Sequence, residues 1–497
     1  MLFNSAQFLI FFPLVTLGYF IIPQRVRYLW LLVASYYFYM GWNPHYIVLL
    51  LFSTTVTYLS GLLIEKVPKI VLENKTKLYK NTVVAVSFIL NLGVLFYFKY
   101  INFASAIMMR VASGLHIQLN IPTFDVVLPV GISFFTFQAL SYTVDVYRGE
   151  IYAEKNFFRY ALYVSFFPQL VAGPIERSKN LLKQLAVPTK FDFEKARDGF
   201  LLMLWGYFLK LVLADRIAIF VDEVYSNYTS FPGWYCIVAT VLFAFQIYCD
   251  FAGYSTIAIG AAEILGINLM ENFNAPYTAT TVSDFWRRWH ISLTSWFRDY
   301  LYIPLGGNRK GLLRKNVNRL VVFLASGLWH GASMHYVIWG GINGVYQIVG
   351  EITQPLRNKI TSILGLNRDS LGFKIYKTII TFILVDLAWV YFRADGYHIA
   401  NGIVYSMIHA ENPWILFDGS LYQLGLSEKN FRLMIICIVV LFISDILKNK
   451  GICLRKIIAK QDYIFRWVII ALSIFFIVTF GVWGPGYDAS NFIYFQF

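Results

Sequence analysis

Charge is scarce in this chain, and that scarcity excludes most soluble architectures. Asp, Glu, Lys and Arg make up 14% of the 497 residues against 58% hydrophobic, a balance too apolar for a water-facing surface. Cysteine is scarcer still. Cys236, Cys249, Cys437 and Cys453 show neither CxxC spacing nor a paired framework, which leaves them as scattered packing residues. HExxH and other zinc spacings, GxGxxG, a Walker A run and GxSxG are all missing; Gly331-Ala-Ser-Met-His335 stops short of the second glycine. No metal site is therefore expected. Internal repeats, low-complexity tracts and long linkers are absent too, so the expectation is one integral membrane domain over 1–497, with N-terminal helices in 1–125, a core in 126–350 and C-terminal helices in 351–497.

What is present is apolar sequence in long runs, at 6–23, 45–64, 82–98, 237–251, 320–349, 378–392, 433–447 and 467–482. Several approach the roughly 20 residues that cross a bilayer core. Lipid offers backbone amides no partner, and these runs lack period-2 alternation, so they are read as helices and not as barrel strands. Shorter candidates at 26–40, 126–143, 157–173 and 199–213 bring the expectation to an all-α polytopic membrane protein of about 11 transmembrane helices.

The formal net charge of +14 sits in short loops between apolar runs and matches no nucleic-acid-binding pattern. It reads as the positive-inside signal of a multi-pass protein in contact with membrane lipid. No Lys or Arg precedes Arg25, so the first segment lacks the basic start and cleavage site of a signal peptide. It is expected to be retained, with its N-terminus outside and Arg25 and Arg27 in the cytoplasm. The stretch 65–81, carrying Lys66, Lys69, Lys75, Lys77 and Lys80, then returns to the same side. Segment 157–173 breaks the rule, because Arg148 and Lys155 flank one end and Arg177, Lys179 and Lys183 the other. A re-entrant or in-plane segment resolves this, broken at Phe167-Pro168-Gln169 and Ala172-Gly173-Pro174.

Chemistry concentrates after Thr281. Thr281 with Asp284 resembles a capping box, and Pro304 with Gly306 would end the element. At about 100° per residue, Trp286, Trp289, His290, Leu293, Phe297 and Tyr300 share one face, with Arg287, Arg288, Ser295, Arg298 and Asp299 opposite, as in an interfacial amphipathic helix. His290 stands where the pattern calls for an apolar side chain. It is either a core histidine with satisfied hydrogen bonds or a ring that desolvation keeps neutral, usable as a base or a substrate contact. The following loop, Gly306-Gly307-Asn308-Arg309-Lys310-Gly311, is either a basic turn or a contact for a phosphate-bearing donor such as coenzyme A.

His330 is the stronger candidate. It lies in the longest apolar run, with no Lys or Arg between Arg319 and Glu351, and an ionisable group at such depth is functional by default. As one helix, the run would place Ser326, Gly327, Met334, Gly341 and Gly344 on the histidine's face. The pairs Gly327/Gly331 and Gly340/Gly344 equally suit close helix packing, which accounts for the glycines but not for the imidazole. Asp250, an acid at the end of another apolar run, is expected to orient a histidine or to pair with an arginine. The remaining histidines, His45, His116, His335, His398 and His409, are assigned to structure or solvent.

These residues fall into blocks that resemble a known family. The blocks are Leu128-Pro-Val-Gly-Ile-Ser-Phe-Phe-Thr-Phe-Gln138, the Tyr163 to Pro174 stretch, Gln246-Ile-Tyr-Cys-Asp-Phe251, Asp284-Phe-Trp-Arg-Arg-Trp-His-Ile-Ser-Leu293, Arg298-Asp-Tyr-Leu-Tyr-Ile-Pro-Leu-Gly-Gly-Asn-Arg309, Gly327-Leu-Trp-His-Gly-Ala332 and the terminal Phe492-Ile-Tyr-Phe-Gln-Phe497. In this order they resemble the membrane-bound O-acyltransferases, the MBOAT family, and within it the membrane subunits of alginate O-acetylation. The resemblance implies that His330 matches the buried catalytic histidine and His290 the second motif histidine. It places Asn308, Arg309, Trp329, Asp250 and Arg298 among the substrate-binding candidates. It implies transmembrane, re-entrant and interfacial helices around a central tunnel, in a bacterial cytoplasmic (inner) membrane. Acetyl-CoA would be the donor substrate, with no bound cofactor, an extracytoplasmic SGNH-hydrolase-type partner and a polysaccharide acceptor. Relatives often carry a serine and an aspartate where this chain has Ala252 and Thr256. Peptidoglycan O-acetylation and D-alanyl transfer to teichoic acid are the rival readings within the family. A polysaccharide export channel is the rival from another class, although the paired broken helices of a transporter are not found in corresponding halves.

Overall fold

The computed structural model describes residues 1–70, 73–171, 173–187, 189–482 and 492–493, the side chains of 67–70 and 73–74 excepted. Every regular element among them is helical. The chain forms two compact units. The first comprises Met1–Met203 with Ile257–Met270, and the second Leu204–Thr256 with Glu271–Phe497.

In the first unit, α1 (Ala6–Ile21) starts where the Ser5 side chain accepts from the Phe8 N–H. Helices α2 (Arg27–Met40), α3 (Ile47–Ile70) and α4 (Glu73–Leu95) follow. A π-helical turn at Phe96–Tyr100 joins α4 to α5 (Ile101–Gly114). The basic stretch 65–81 falls partly outside the described residues. Helix α6 (Ile132–Tyr147) occupies most of the second short candidate segment, 126–143, but 14 of its 16 residues are buried. Protein, not lipid, covers it.

Segment 157–173, expected to be re-entrant or in-plane, is broken as expected, though at a different residue. Helix α7 (Phe157–Ser165) stops at Phe166, whose φ/ψ of −53/111° is not helical, and Pro168 lies inside the first turn of the short α8 (Phe167–Leu170). A proline lacks the N–H that a first turn leaves unbonded anyway, so it starts the second piece instead of ending the first. The Tyr163 carbonyl and the side-chain amides of Gln138 and Gln169 knit the break together, both amides donating to that carbonyl. Helix α9 (Ser178–Ala186) closes this region, and α10 (Phe193–Tyr207) carries the chain onward.

The second unit begins with the last turn of α10, followed by a π-helical turn at Phe208–Ala214 and α11 (Asp215–Ser226). Helix α12 (Trp234–Ile264) runs 31 residues. Then come α13 (Val282–Arg288), α14 (Ile291–Phe297), a π-helical turn at Arg298–Tyr302, α15 (Gly311–His330), α16 (Met334–Ile352), α17 (Gln354–Ile363), α18 (Leu371–Arg393), α19 (Tyr397–Ile408), α20 (Glu428–Asn449), α21 (Leu454–Ala459) and α22 (Tyr463–Phe480).

Six helical stretches among the described residues are long and apolar enough to span a bilayer: 44–66, 75–114, 234–264, 371–393, 428–449 and 463–480. Helix α1 is apolar but shorter. The expected run 320–349 is not one helix, because the chain breaks after His330 and turns back as α16. Burial separates the spans. Most of α12 is covered by protein, whereas α20 and α22 present most of their apolar surface outward.

The break after His330 has a packing cause. A Cβ on Gly331 would fall 2.0 Å from the Tyr336 ring, and one on Gly327 would fall 2.2 Å from the Tyr336 carbonyl oxygen. One on Gly340 would meet the Phe323 carbonyl oxygen at 2.3 Å. The glycines therefore let α15 and α16 pack backbone to backbone as a hairpin. Its open end is clamped by Glu351, which accepts from Lys315 and, at 2.7 Å, from Arg319. Gly340→Ala should lower the stability of the purified protein by about 1–3 kcal/mol through overpacking. Gly350→Ala, where nothing lies within 4 Å, should not. Equal melting temperatures for the two variants would contradict the close hairpin.

Candidate active site

The histidines sit at two helix interruptions of the second unit. Thr281 caps α13 by accepting from the Asp284 N–H at 3.0 Å, while Asp284 turns its carboxylate to Arg288. The expected continuous helix through Tyr300 then fails at His290, whose φ/ψ of 43/54° is left-handed. For a residue with a side chain this costs on the order of 1–2 kcal/mol. The surroundings hold it there. Asn272 supplies the acceptors that the start of α14 needs: its backbone oxygen takes the Ile291 N–H at 3.0 Å and its side-chain oxygen the Ser292 N–H at 3.3 Å. Its amide donates onward to Ser255 Oγ at 3.2 Å, and the Asn274 N–H is received by the Arg288 carbonyl at 3.0 Å. His290 is thus the hinge of a helix–kink–helix and not a residue of one amphipathic face. The sidedness survives the kink, since Trp286, Trp289, Leu293 and Phe297 are all buried and Arg287 and Arg298 exposed.

Trp329 brings the two histidines together. Its ring centroid lies 6.0 Å from that of His290 and 4.9 Å from that of His330. His290 is 1% exposed and meets the Phe251 ring edge-on at 4.6 Å. Burial pushes its pKa down to about 3, so the ring is neutral at physiological pH. His330, 3% exposed, is flanked edge-on by Trp339 at 5.1 Å and Phe392 at 5.3 Å. As the last residue of α15 it shares its helix with Ser326 and Gly327, but Met334, Gly341 and Gly344 belong to α16, which corrects the single-helix face.

Behind the histidines the wall is aromatic. Trp389 stacks on Trp339 at 5.6 Å and tilts against Trp289 at 5.1 Å, and Phe285 stacks on Trp289 at 5.4 Å. Asn343 ties two of these elements, accepting from Trp286 Nε1 at 3.1 Å and donating to the Trp339 carbonyl at 2.9 Å. An imidazole held by such a wall has few rotamers left, which favours a fixed orientation toward a reacting group. His335, set aside in the sequence, contacts the Tyr391 carbonyl through Nδ1 at 3.0 Å.

Among the described residues Asp250 pairs with neither an arginine nor a histidine. Its Oδ1 accepts from Lys210 Nζ at 2.6 Å, and its Oδ2 accepts from the Ile493 N–H at 2.8 Å. Lys210 also reaches Asp215 at 2.9 Å and stands 5.7 Å from the Phe492 ring centroid. Gly253 explains the approach: a Cβ there would meet the Gly206 carbonyl oxygen at 2.8 Å and the Lys210 nitrogen at 3.0 Å. Only a glycine one helical turn beyond Asp250 lets α12 come this close to the π-helical turn that carries Lys210.

The remaining candidates stand apart from this buried group. Arg298 is exposed and pairs with the neighbouring Asp299 at 2.9 Å. Asn308 and Arg309 are exposed on a loop bent by positive φ at Gly306, Gly307 and Gly311 and anchored by Asn318, whose amide donates to the Gly307 carbonyl at 3.0 Å. The four cysteines are free.

Sequence reasoning passed over Lys210, Asn272 and Asn343. Lys210 carried a usable signal, a lone cation inside an apolar segment. So did Asp386 and Asp445, buried acids in spanning helices, the latter accepting from the Tyr248 hydroxyl at 3.0 Å. Removing one member of a buried ion pair is costly, so Lys210→Met should reduce stability by about 3–5 kcal/mol. Adding Asp250→Asn should recover part of the loss in a thermal melt of the purified protein. A neutral effect of Lys210→Met would show that the cluster does not hold the fold.

The model of the membrane-bound O-acyltransferase (MBOAT) family matches residues 136–385, half of the chain, with Asp250 and both histidines inside. A Pseudomonas syringae protein named "Probable alginate O-acetylase AlgI" is 36% identical over 84% of this chain and 77% of its own length. Its Pseudomonas putida counterpart is 35% identical over 90% and 89%. A "Peptidoglycan O-acetyltransferase" of Helicobacter pylori is 30% identical over 100% of this chain and 98% of its own length. Family match, relatives and helical architecture agree: this chain belongs to the membrane-bound O-acyltransferase family and is a multi-pass membrane O-acyltransferase.

Proposed function

We propose that the chain takes acetyl groups from acetyl-CoA on the cytoplasmic side of a bacterial inner membrane and passes them outward for O-acetylation of an extracytoplasmic polysaccharide of alginate type. The observation that carries this reading is the pairing of two buried histidines across Trp329 inside the family-matched region. The relatives named for alginate support the acceptor class.

In this reading unprotonated His330 is the general base. It removes the proton of the acceptor hydroxyl as the oxygen attacks the thioester carbonyl; the new C–O bond forms, the C–S bond breaks, and the proton passes to the departing coenzyme A thiolate. The alternative role, in which the acyl group rests transiently on the His330 nitrogen before transfer, uses the same residue as a nucleophile. His290 positions donor or acceptor in either case. The exposed Arg309 and Asn308 contact the donor's phosphates, and an SGNH-hydrolase-type partner receives the acetyl group outside. The tunnel that would join the two sides belongs to the same proposal, and it requires both a thioester and a hydroxyl to reach His330.

Peptidoglycan is the second acceptor to consider, because the Helicobacter pylori relative matches this chain from end to end. Base-labile ester on exopolysaccharide and on peptidoglycan, measured separately in the producing cell, distinguishes the two. His330→Ala should abolish that ester at normal protein level, whereas wild-type acetylation would refute the assignment. Arg309→Gln should raise the KM for acetyl-CoA about tenfold with little change in kcat, since a charge-assisted contact contributes on the order of 1.5–3 kcal/mol. An unchanged KM would leave the loop a simple basic turn.

A further inference from the structure

Between α1 and α2 the chain turns through Pro23, Gln24, Arg25 and Val26, and this turn borders a cavity of about 190 Å³. Its lining combines Arg25, Arg27, Arg159, Tyr19, Tyr28 and Gln184, which all belong to the first unit. None of the cavity's lining residues is among those of the candidate active site.

The three guanidinium groups differ in how far they are already engaged. Arg27 is fixed: Nε donates to the Ile22 carbonyl at 3.0 Å, one terminal nitrogen to Thr189 at 2.6 Å and the other to Phe20 at 3.1 Å. It also lies 5.2 Å from the Tyr19 ring centroid. Arginine has five N–H groups, so a guanidinium splinted by these bonds keeps two for a ligand. Arg159 pairs with Glu154 at 3.3 Å, while its buried Nε has no hydrogen-bond partner among the described residues. Arg25 is exposed at the mouth. Three cations thus line the cavity, and Glu154 sits beside one of them.

Val187 of the lining, and Ile21 and Phe191, which lie a few residues from lining positions in the chain, are apolar and open. Ile21 is 72% exposed, Val187 64% and Phe191 57%, and Phe191 packs edge-on at 5.2 Å against Phe20, which is itself covered by the Arg27 guanidinium. A free phosphate has no use for such a border. A molecule with an anionic head and hydrocarbon tails matches both halves.

We propose that this cavity is a binding site for an anionic phospholipid, its headgroup phosphate held by Arg25, Arg27 and Arg159 and its acyl chains lying over Ile21, Val187 and Phe191. Arg27 positions the site as well as contributing charge, because it joins the end of α1 to Thr189.

Delipidated full-length protein titrated with phosphatidylglycerol or phosphatidylcholine and read by native mass spectrometry tests the proposal. Phosphatidylglycerol should bind at least fivefold more tightly than phosphatidylcholine, and Arg25→Gln should weaken it about fivefold, as expected for one cation near an anionic surface. Lys66→Gln, an exposed basic control in the same unit, should leave binding unchanged. Equal binding of the two lipids by the wild type would overturn the proposal whatever the variants do. Full displacement of phosphatidylglycerol by millimolar inorganic phosphate would reassign the cavity to a soluble phosphate, and displacement by coenzyme A would reassign it to the donor.

Discussion

Interrupting a helix in a buried, apolar interior leaves peptide groups that no solvent reaches, and both histidines of the candidate site stand at such interruptions. The chain meets this constraint with protein groups. At His290 the first amides of α14 find the Asn272 backbone and side chain. At His330 the helix ends on the Gly331 N–H to Gly327 carbonyl bond, with the Tyr336 ring seated where a side chain at 331 would be. The strain at His290 is offset by the hydrogen bonds of Asn272 and Asn274 on either side of it, and Phe251 and Trp329 pack against the ring. Strained, over-determined backbone of this kind is common where geometry must be held for chemistry.

The buried charges serve the same framework from another side. Lys210, Asp215 and Asp250 would be prohibitive separately in an apolar interior; together, with the Ile493 N–H as a further donor, they satisfy one another. Asp250 and Phe251 are consecutive on α12, so the helix that anchors the cluster also presents the ring that His290 packs against.

Much of this was legible in the chain. Apolar runs of the right length marked the spans at 45–64, 82–98, 237–251, 378–392, 433–447 and 467–482, because helix formation in lipid is imposed by the solvent. Segments 126–143 and 199–213 were legible as helices but not as buried ones, since hydropathy cannot distinguish an apolar side chain covered by lipid from one covered by protein. His290 and His330 stood out as polar groups in apolar surroundings. Their joint packing on Trp329 was not visible, because nothing in the spacing of 290 and 330 says that two separate helices end at one ring.

What the sequence by itself determined is the solvent in which the chain folds, its helical class and the blocks that place it in its family. These follow from composition and local order, which need no partner. Tertiary structure alone decided that a presumed single helix turns back after His330, that another kinks at His290, and that Asp250 faces a lysine 40 residues earlier. Each depends on a distant group, the Tyr336 ring, the Asn272 acceptors and the Lys210 ammonium, whose proximity arises only when the helices have packed.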